Sequence, residues 1–327
     1  MTKPPTIGGL FSEPSPRPSL AVVTQGQRRS ADNLIQDRLQ LSFSATEIAA
    51  VKLIKKVRPP SIRAFDQIPM RSRDLLKQAK IIAPYIAGQS VAFMGDADLA
   101  SLVIGLVGRI GGPLPRHMTL LDFDERLLEV AYTVARHFGF ADVLAVQRYN
   151  AFDPVPNELS HRHDWFYTNP PYGSNNSGAS AQLFITRGCE LVRAGGSGCI
   201  ILPNDATRAW TQGVMLSTQA FLATHGWSIR TMLDKMHHYH LAEDRFLTSS
   251  LVLVDNVVGA GSSGDLPAMP YAGRRVEFRE IPSFYGRAVL PPYPRYIRRD
   301  GTADYAWGFP AGPDSERMSE RKKDRGN

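Results

Sequence analysis

Apolar residues recur at every third or fourth position in the first part of the chain, a spacing typical of amphipathic helices. This pattern covers residues 31–41, 44–57 and 72–86. Ser44 or Thr46 is placed to cap the second of these helices, and Pro59 and Pro60 break the pattern after it. Together these features predict a small helical domain over residues 31–88, with a winged-helix-like module as the more specific alternative.

From residue 89 onward, short apolar runs alternate with helical patterns. The predicted strands cover residues 90–96, 117–124, 142–149, 163–173, 195–205 and 248–257. The predicted helices cover residues 97–110, 125–140, 180–192 and 214–226. Such alternation is typical of a parallel sheet with helices on both faces, so residues 89–260 are predicted to form a Rossmann-like α/β domain. Ligands of such sheets bind at the carboxyl ends of the strands.

The two ends of the chain have a different composition. Residues 1–30 are rich in Pro, Ser and Gly and lack periodicity, which predicts a disordered leader. Residues 261–327 form a Pro-rich extension that ends in a basic tail. No run approaches 18 apolar residues and no secretory signal pattern opens the chain, so we expect no membrane contact. The two cysteines fit a reducing compartment, and the predicted location is cytoplasmic.

Polar and aromatic residues follow three of the predicted strands and would meet at one edge of the sheet. Gly95 lets a ligand approach the backbone, Asp122 is placed to bind a ribose hydroxyl pair, and Phe152 suits an adenine ring. The order predicts a nucleoside sulfonium donor, as in S-adenosylmethionine chemistry. No GxGxxG pattern is present, so a dinucleotide is not favoured. The candidate donor-binding residues are Gly95, Asp96, Asp122, Phe123, Phe152 and Asp153.

The fourth predicted strand ends in the turn Asn169-Pro-Pro-Tyr172, the most specific motif of the chain. Successive prolines stiffen the turn, so the Asn169 side chain and the Pro170 carbonyl can accept hydrogen bonds from an attacking amine. Tyr172 offers an aromatic face for a planar base or a cation. Asp96 and Asp98 are predicted to hold cationic nitrogens, which makes these five residues the candidate catalytic set.

The run from His237 to His240, followed by Glu243 and Asp244, resembles a metal cluster at first sight. Adjacent strand residues point in opposite directions, so only His238 and His240 could share a face. Without a third ligand we predict no metal. The segment is instead predicted to line the acceptor pocket, with His240, Glu243 and Asp244 binding substrate beside Tyr172.

Three blocks of this sequence resemble the branched-chain polyamine synthase family, the N4-bis(aminopropyl)spermidine synthases. The blocks are Asp66-Gln67 with residues 91–102, then residues 121–128, then residues 166–172 with 183–188. Their order and spacing agree over residues 31–260. The resemblance implies a winged-helix-like N-terminal domain and a class I S-adenosylmethionine-dependent transferase domain. It also implies decarboxylated S-adenosylmethionine as donor and a linear polyamine such as spermidine as acceptor.

Two positions depart from the family pattern. Ala97 stands where the family has the middle carboxylate of Gly-Asp-Asp-Asp, and Asn169 stands where its turn has aspartate. Asn-Pro-Pro-Tyr is the form found in amino-methyltransferases, whose acceptor nitrogens are uncharged. The first hypothesis is therefore aminopropyl transfer to a polyamine. The second is methyl transfer to an amino group of DNA or RNA adenine or of a protein amide, and the third is a non-catalytic binding protein on the same fold.

The charge distribution bears on both transferase hypotheses. The net charge is +7, with an excess of positive charge before residue 90 and after residue 261 and an excess of negative charge between them. An acidic centre suits a cationic substrate. The basic N-terminal region leaves a nucleic-acid contact open, and a homodimer is a further option. Arg187 and Arg193 flank a predicted helix and are expected to be solvated.

Overall fold

A computed structural model describes residues 41–241, 246–257, 266–286 and 289–307. The helices are α1 (Ala45–Val57), α2 (Ser72–Ile86), α3 (Ala100–Arg109), α4 (Glu125–Phe138), α5 (Ala179–Leu191) and α6 (Ala209–Thr224). The strands are β1 (Ser90–Met94), β2 (His117–Asp122), β3 (Leu144–Arg148), β4 (His163–Thr168), β5 (Val192–Pro203), β6 (Trp227–His238), β7 (Thr248–Asn256), β8 (Tyr296–Ile297) and β9 (Ala303–Asp304). Every element predicted between residues 44 and 257 is present.

Strands β1 to β7 form one sheet in the order β3-β2-β1-β4-β5-β7-β6. Strands β1 to β5 are parallel, but β7 runs antiparallel to both β5 and β6. The expectation of a wholly parallel sheet is therefore wrong at this edge. Only nine residues separate β6 from β7, and a connection this short joins antiparallel neighbours, whereas parallel strands need a longer crossover. Strand β6 was missed because its partly exposed edge position leaves only a weak apolar pattern.

The N-terminal helices belong to the layer that covers one face of the sheet. Ser44 caps α1 in a capping box with Glu47, and the helix ends at Val57 before the two prolines, as predicted. Buried residues of α1 and α2 share one core cluster with α3 and the sheet. Within the described residues before β1 no strand pairs with another, so no wing is seen there. The predicted division at residue 88 and the leader before residue 31 stay predictions.

The C-terminal extension is folded over the carboxyl edge of the sheet as far as residue 307. Its aromatic rings surround Phe152, which is 1% exposed, and β8 lies beside the residues that follow β2. The rings in contact with Phe152 are those of Phe278, Phe284, Tyr293 and Trp307. This part of the extension is therefore a component of the core and not a solvated tail. The basic tail after residue 307 lies outside the described residues.

Arg187 on α5 fastens this extension to the sheet. Its guanidinium is fully buried and donates to the carbonyl oxygens of Ala151, Tyr271 and Arg274 at 2.7–2.9 Å. It also forms an ion pair with Glu190. The expectation that Arg187 is solvated is therefore wrong, because carbonyls from residues distant in sequence satisfy its donors. Arg193 is about half exposed, as expected.

None of the helices in the described part of the chain has the length and apolar character needed to cross a membrane.

Candidate active site

A cavity with about 520 Å³ of space, continuous with solvent, lies at the carboxyl ends of the parallel strands. The turns after β1, β2, β3 and β4 form its floor, which is where ligands of such sheets bind. The loop before α2, the side chain of Phe184 and the C-terminal extension form its sides. The lining residues are Phe65, Asp66, Gln67, Met94, Gly95, Ala97, Leu121, Asp122, Phe123, Tyr149, Asn150, Ala151, Asn169, Pro171, Phe184 and Tyr285.

Gly95 gives the turn after β1 its close approach to the cavity. Its φ is +65°, a conformation that favours glycine, and a Cβ there would lie 2.6 Å from the Phe184 ring. Asp96, the next residue, does not face the cavity. Its carboxylate accepts the backbone N–H groups of Ala100 and Ser101 at 2.7 and 2.9 Å, at the start of α3. The prediction that Asp96 holds a substrate nitrogen is therefore not borne out by its contacts, and its role here is to cap α3.

Asp122 ends β2 and faces the cavity, where the ribose-binding carboxylate is predicted. Its two carboxylate oxygens accept the backbone N–H groups of Asp96 and Asp124 at 3.0 and 2.9 Å, which fix its orientation. Burial, together with the nearby Asp124 carboxylate, raises the pKa of Asp122 to about 7. A ligand that donates hydrogen bonds or carries positive charge here stabilises the ionised form.

Asp66 is a second acidic residue on the cavity wall, and our candidate list did not include it. The 3-10 turn Arg63–Phe65 precedes it, and its φ is +57°, a strained conformation for a residue other than glycine. Gln67 anchors this turn by accepting from the Ile62 N–H and donating to Asp124 at 3.0 Å. Burial raises the pKa of Asp66 to about 6. Only its place in the Asp66-Gln67 block pointed to it from the sequence.

Three aromatic rings close one side of the cavity. The Phe65 ring lies 5.8 Å from the Phe123 ring and 5.1 Å from the Tyr285 ring, measured between centroids. Phe123 and Tyr285 are nearly parallel at 6.4 Å. Phe123 was predicted here, whereas Phe65 and Tyr285 were missed because both arrive from segments far from β2 in sequence.

Phe152 and Asp153 do not line the cavity, which corrects their predicted place beside the donor. The Phe152 ring is enclosed by the aromatic rings of the C-terminal extension. The Asp153 carboxylate is bound by the guanidinium groups of Arg275 and Arg295. Asn150 and Ala151, two and one residues earlier, supply the lining after β3.

The Asn-Pro-Pro-Tyr turn follows β4 at the other side of the cavity. The Asn169 side-chain nitrogen donates to Asp98 at 3.0 Å, and the second Asp98 oxygen accepts the Met70 N–H at 2.7 Å. The Tyr172 hydroxyl lies 3.4 Å from the Asn169 amide oxygen and 2.5 Å from the Tyr239 hydroxyl. The contacts of Asp98 hold Asn169 and the loop at Met70, so the prediction that Asp98 grips a cationic nitrogen gives way to a positioning role. Pro170 is buried, while Pro171 lines the cavity.

The remaining predicted residues lie away from this cavity or outside the described chain. His240 is exposed, and its backbone N–H donates to the Pro69 carbonyl at 2.8 Å. Glu243 and Asp244 lie outside the described residues. In the parts of the chain that are described, no group of three or more His, Cys, Asp or Glu side chains could hold a metal ion.

For the comparisons that follow, we name two sides of the cavity. The donor side comprises Asp66, Gly95, Asp122, Phe123 and Tyr285. The acceptor side comprises Asn169, which lines the cavity, and the residues behind it that hold it directly or through one another, Asp98, Tyr172 and Tyr239.

The strand order with one antiparallel strand near the edge, and a cavity at the carboxyl ends of β1, β2 and β4, define the fold of class I S-adenosylmethionine-dependent transferases. The family model of the branched-chain polyamine synthase A C-terminal domain matches residues 47–255. The chain belongs to this family, as the sequence blocks suggested.

Individual relatives are distant. The chain is 26% identical over 150 residues to the N(4)-bis(aminopropyl)spermidine synthase of Thermococcus kodakarensis. The matched stretch covers 45% of this chain and 39% of that enzyme. It is 24% identical over 158 residues to an uncharacterized protein of Methanocaldococcus jannaschii, 48% of this chain and 36% of that one. The matched stretches thus span less than two fifths of either relative.

Among solved structures, the fold resembles the branched-chain polyamine synthase of Thermus thermophilus in complex with N4-aminopropylspermidine and 5′-methylthioadenosine. The TM-score is 0.58 at 22% identity, over 71% of this chain and 67% of that one. At this identity the likeness concerns the fold.

Proposed function

We propose that this protein transfers an aminopropyl group from decarboxylated S-adenosylmethionine to an amine nitrogen of a polyamine. The observation that carries the proposal is the charge of the cavity wall. Asp66 and Asp122 line it, and none of its described lining residues is lysine, arginine or histidine. The decarboxylated donor carries a sulfonium and an ammonium group, whereas the intact donor adds a carboxylate, which the negative charge of these acids disfavours. Cations close to carboxylates in a partly desolvated cavity are strongly favoured.

The two sides of the cavity divide the work of binding. On the donor side, Asp122 accepts from the ribose hydroxyls, Phe123 and Tyr285 flank the adenine, and Gly95 leaves room for the chain that bears sulfur. Asp66 faces the positive charge of the donor. The residues Phe152 and Asp153 support this side indirectly, by fixing the extension that carries Tyr285.

The reaction takes place beside Asn169. The neutral acceptor nitrogen attacks the carbon next to the sulfonium, so an N–C bond forms as the C–S bond breaks and the sulfonium becomes a neutral thioether. The nitrogen then loses a proton to solvent. Asn169 cannot remove that proton, but its amide oxygen can accept an N–H and aim the nitrogen lone pair at the carbon. Such positioning accounts for a large part of the rate in bimolecular transfers.

The relatives support the same reaction class. One matched relative is named as an N(4)-bis(aminopropyl)spermidine synthase, and the Thermus thermophilus enzyme holds N4-aminopropylspermidine with 5′-methylthioadenosine. These are the aminopropylated amine and the thioether that the proposed reaction would release. The nucleic-acid contact and the homodimer that the sequence left open have no support from these relatives or from the cavity, and both stay outside the proposal.

Methyl transfer to a neutral amino group is the second candidate. The Asn169 amide favours it, because Asp98 fixes the side-chain nitrogen, and the amide oxygen, which accepts from Tyr172 at 3.4 Å, has a second lone pair for an uncharged amine. This arrangement suits either reaction, so the donor decides between them.

The deciding experiment compares the two donors. Calorimetric titration with each donor is followed by incubation with spermidine and mass analysis of the amine. We expect tighter binding of the decarboxylated donor, an aminopropylated amine and release of methylthioadenosine. Preference for the intact donor, with a methylated product, would replace the proposal by the second candidate. Asp142→Asn removes a carboxylate at an exposed position near the amino end of β3. It is the control, and it should leave the preference between the two donors unchanged.

A further inference from the structure

A buried chain of hydrogen bonds leads away from the acceptor side into the antiparallel edge of the sheet. The Tyr172 and Tyr239 hydroxyls are 2.5 Å apart, and the Tyr239 hydroxyl lies 2.7 Å from the Ser249 hydroxyl. Ser249 in turn lies 2.9 Å from Nδ1 of His237. From the sequence, Tyr239 was placed only within a segment predicted to line the acceptor pocket, and Ser249 was given no role.

The members of this chain come from elements that other observations tie together. His237 and Ser249 are register partners on β6 and β7, and Tyr239 follows β6 directly. Tyr239 is 4% exposed, while Ser249 and His237 are fully buried. An isolated bridge pairs Tyr239 with Met70, whose N–H is held by Asp98. Burying this many polar groups is costly unless each is satisfied, so such networks specify one geometry.

All the hydrogen bonds of this series can donate in one direction, from His237 towards Asn169. With the proton on Nδ1, His237 donates to Ser249, Ser249 to Tyr239, Tyr239 to Tyr172, and Tyr172 to the Asn169 amide oxygen. The Asn169 nitrogen then donates to Asp98. Nε2 of His237 has no partner among the described residues, which suits an unprotonated nitrogen better than an N–H. The reverse direction would leave that buried N–H unpaired.

This hydrogen-bond chain does not accept the proton that the amine nitrogen loses after transfer. Burial lowers the pKa of His237 to about 3 and raises the pKa of both Tyr172 and Tyr239 well above the ordinary value. All three groups are therefore neutral near pH 7. The hydrogen-bond chain therefore orients the Tyr172 hydroxyl and does not transfer a proton.

We propose that Tyr239, held by Ser249 and His237, is a positioning residue that fixes Tyr172 and thereby the Asn169 amide. The Tyr172–Asn169 contact of 3.4 Å is the longest of the series, as catalytic hydrogen bonds often are before substrate binds. Tyr239 holds the same Tyr172 hydroxyl that donates to Asn169, and the second lone pair of the Asn169 oxygen stays available for the acceptor N–H. This inference rests on the proposed function for its effect on transfer, but not for the hydrogen-bond chain itself.

The first test needs no activity. In protein labelled with ¹⁵N at asparagine, the Asn169 side-chain signal is identified by its loss in Asn169→Asp. Tyr239→Phe and Tyr172→Phe, which remove only hydroxyls, are expected to shift and broaden it. The matched control is Tyr167→Phe, because the Tyr167 hydroxyl is also buried but accepts from Gln78 on α2. An unmoved Asn169 signal in a folded Tyr239→Phe variant overturns the proposal.

The second test is a double-mutant cycle on transfer rate. Tyr239→Phe is expected to lower kcat at least tenfold with little change in donor affinity, and to add nothing in a Tyr172→Phe background. Tyr167→Phe is expected to keep the wild-type kcat. A Tyr239→Phe enzyme with wild-type kcat, or losses that multiply in the double variant, contradicts action through Tyr172. If the wild-type protein transfers neither group from either donor, the proposed function fails, and the asparagine signal alone decides whether Tyr239 positions Asn169.

Discussion

The two sides of the cavity both contain carboxylates, yet they use them differently. On the donor side, Asp66 lines the cavity, and the nearby charge of Arg63 opposes the rise in its pKa that burial causes. On the acceptor side, Asp98 accepts the Met70 N–H and the Asn169 amide, and the positive charges of Arg58 and Lys55 lie close enough to oppose the rise in its pKa that burial causes. The same residue type is therefore a binding group on one side and a fixed support on the other.

This difference teaches that acidic residues near a cationic substrate need not all contact it. The Asp98 carboxylate is held by the Met70 N–H and the Asn169 amide, and neither Asp98 nor Tyr239 is among the residues that line the cavity. That arrangement suits an amine that is already uncharged when it attacks, while the charged end of the donor is held on the other side.

The largest expected effect is on the acceptor side. Asn169→Ala removes the oxygen that receives the acceptor N–H and the partner of Asp98, so we expect kcat to fall roughly a thousandfold, about 4 kcal/mol in activation free energy. Donor affinity should stay within about twofold of wild type, since the donor-side contacts are unchanged. Single-turnover kinetics and calorimetry measure the two quantities. Retained turnover, or loss of donor binding, would show that the two sides are not separable.

The next effect separates the support of the donor side from the rest of the fold. Arg187→Lys keeps the charge but cannot reach all four acceptors, so we expect the free energy of unfolding to fall by about 3 kcal/mol. Donor affinity should weaken as residues 266–307 loosen, while the Asn169 amide signal should be unchanged. Arg193→Lys is the control, because its exposed ion pair with Asp164 contributes less than about 1 kcal/mol. Urea unfolding gives both values, and equal losses in the two variants would count against a fastening role.

Gly95→Ala tests the close approach on the donor side. The added methyl group would meet the Phe184 ring at 2.6 Å in a backbone conformation that alanine disfavours, so we expect donor affinity to fall between about tenfold and a hundredfold. Gly88→Ala is a matched control, since its φ is +66° and a Cβ there has no atom within 4 Å. Both variants place alanine in a left-handed backbone conformation, but only Gly95→Ala should show weaker donor affinity. Calorimetry on both proteins decides, and equal affinities would remove Gly95 from the donor site.

The smallest effect concerns charge on the donor side. The unliganded pKa of Asp66 is about 6 and that of Asp122 about 7, both raised by burial. A cationic donor favours the ionised carboxylates, so its affinity should rise with pH through this range and level off above it. Asp66→Asn should weaken binding about tenfold at pH 8 and flatten the part of the rise near pH 6. An unchanged pH profile in this variant would place the donor's charge elsewhere.

Local patterns in the sequence were sufficient for most of the secondary structure and for part of the site. The helical spacing, the proline pair after α1 and the apolar runs predicted the elements that surround the cavity, and polar residues after strands led to Gly95, Asp122, Phe123 and Asn169. Strand β6 was not predicted because its apolar pattern is weak. The antiparallel direction of β7 was not predicted because apolar periodicity indicates burial but not the direction in which a strand pairs.

The sequence by itself determined the family, the order of elements and the edge of the sheet at which ligands bind. Only the tertiary structure decided what each charged side chain does there. Asp96 became a helix cap through the N–H groups of Ala100 and Ser101, which follow it closely in sequence. Asp98 became a support and Arg187 a buried fastening because groups from segments distant along the chain satisfy them. Asp66 lines the cavity, with the charge of Arg63 close to its carboxylate. A carboxylate's role depends on which donors the folded chain brings within hydrogen-bonding distance, and that is set by packing across the whole molecule.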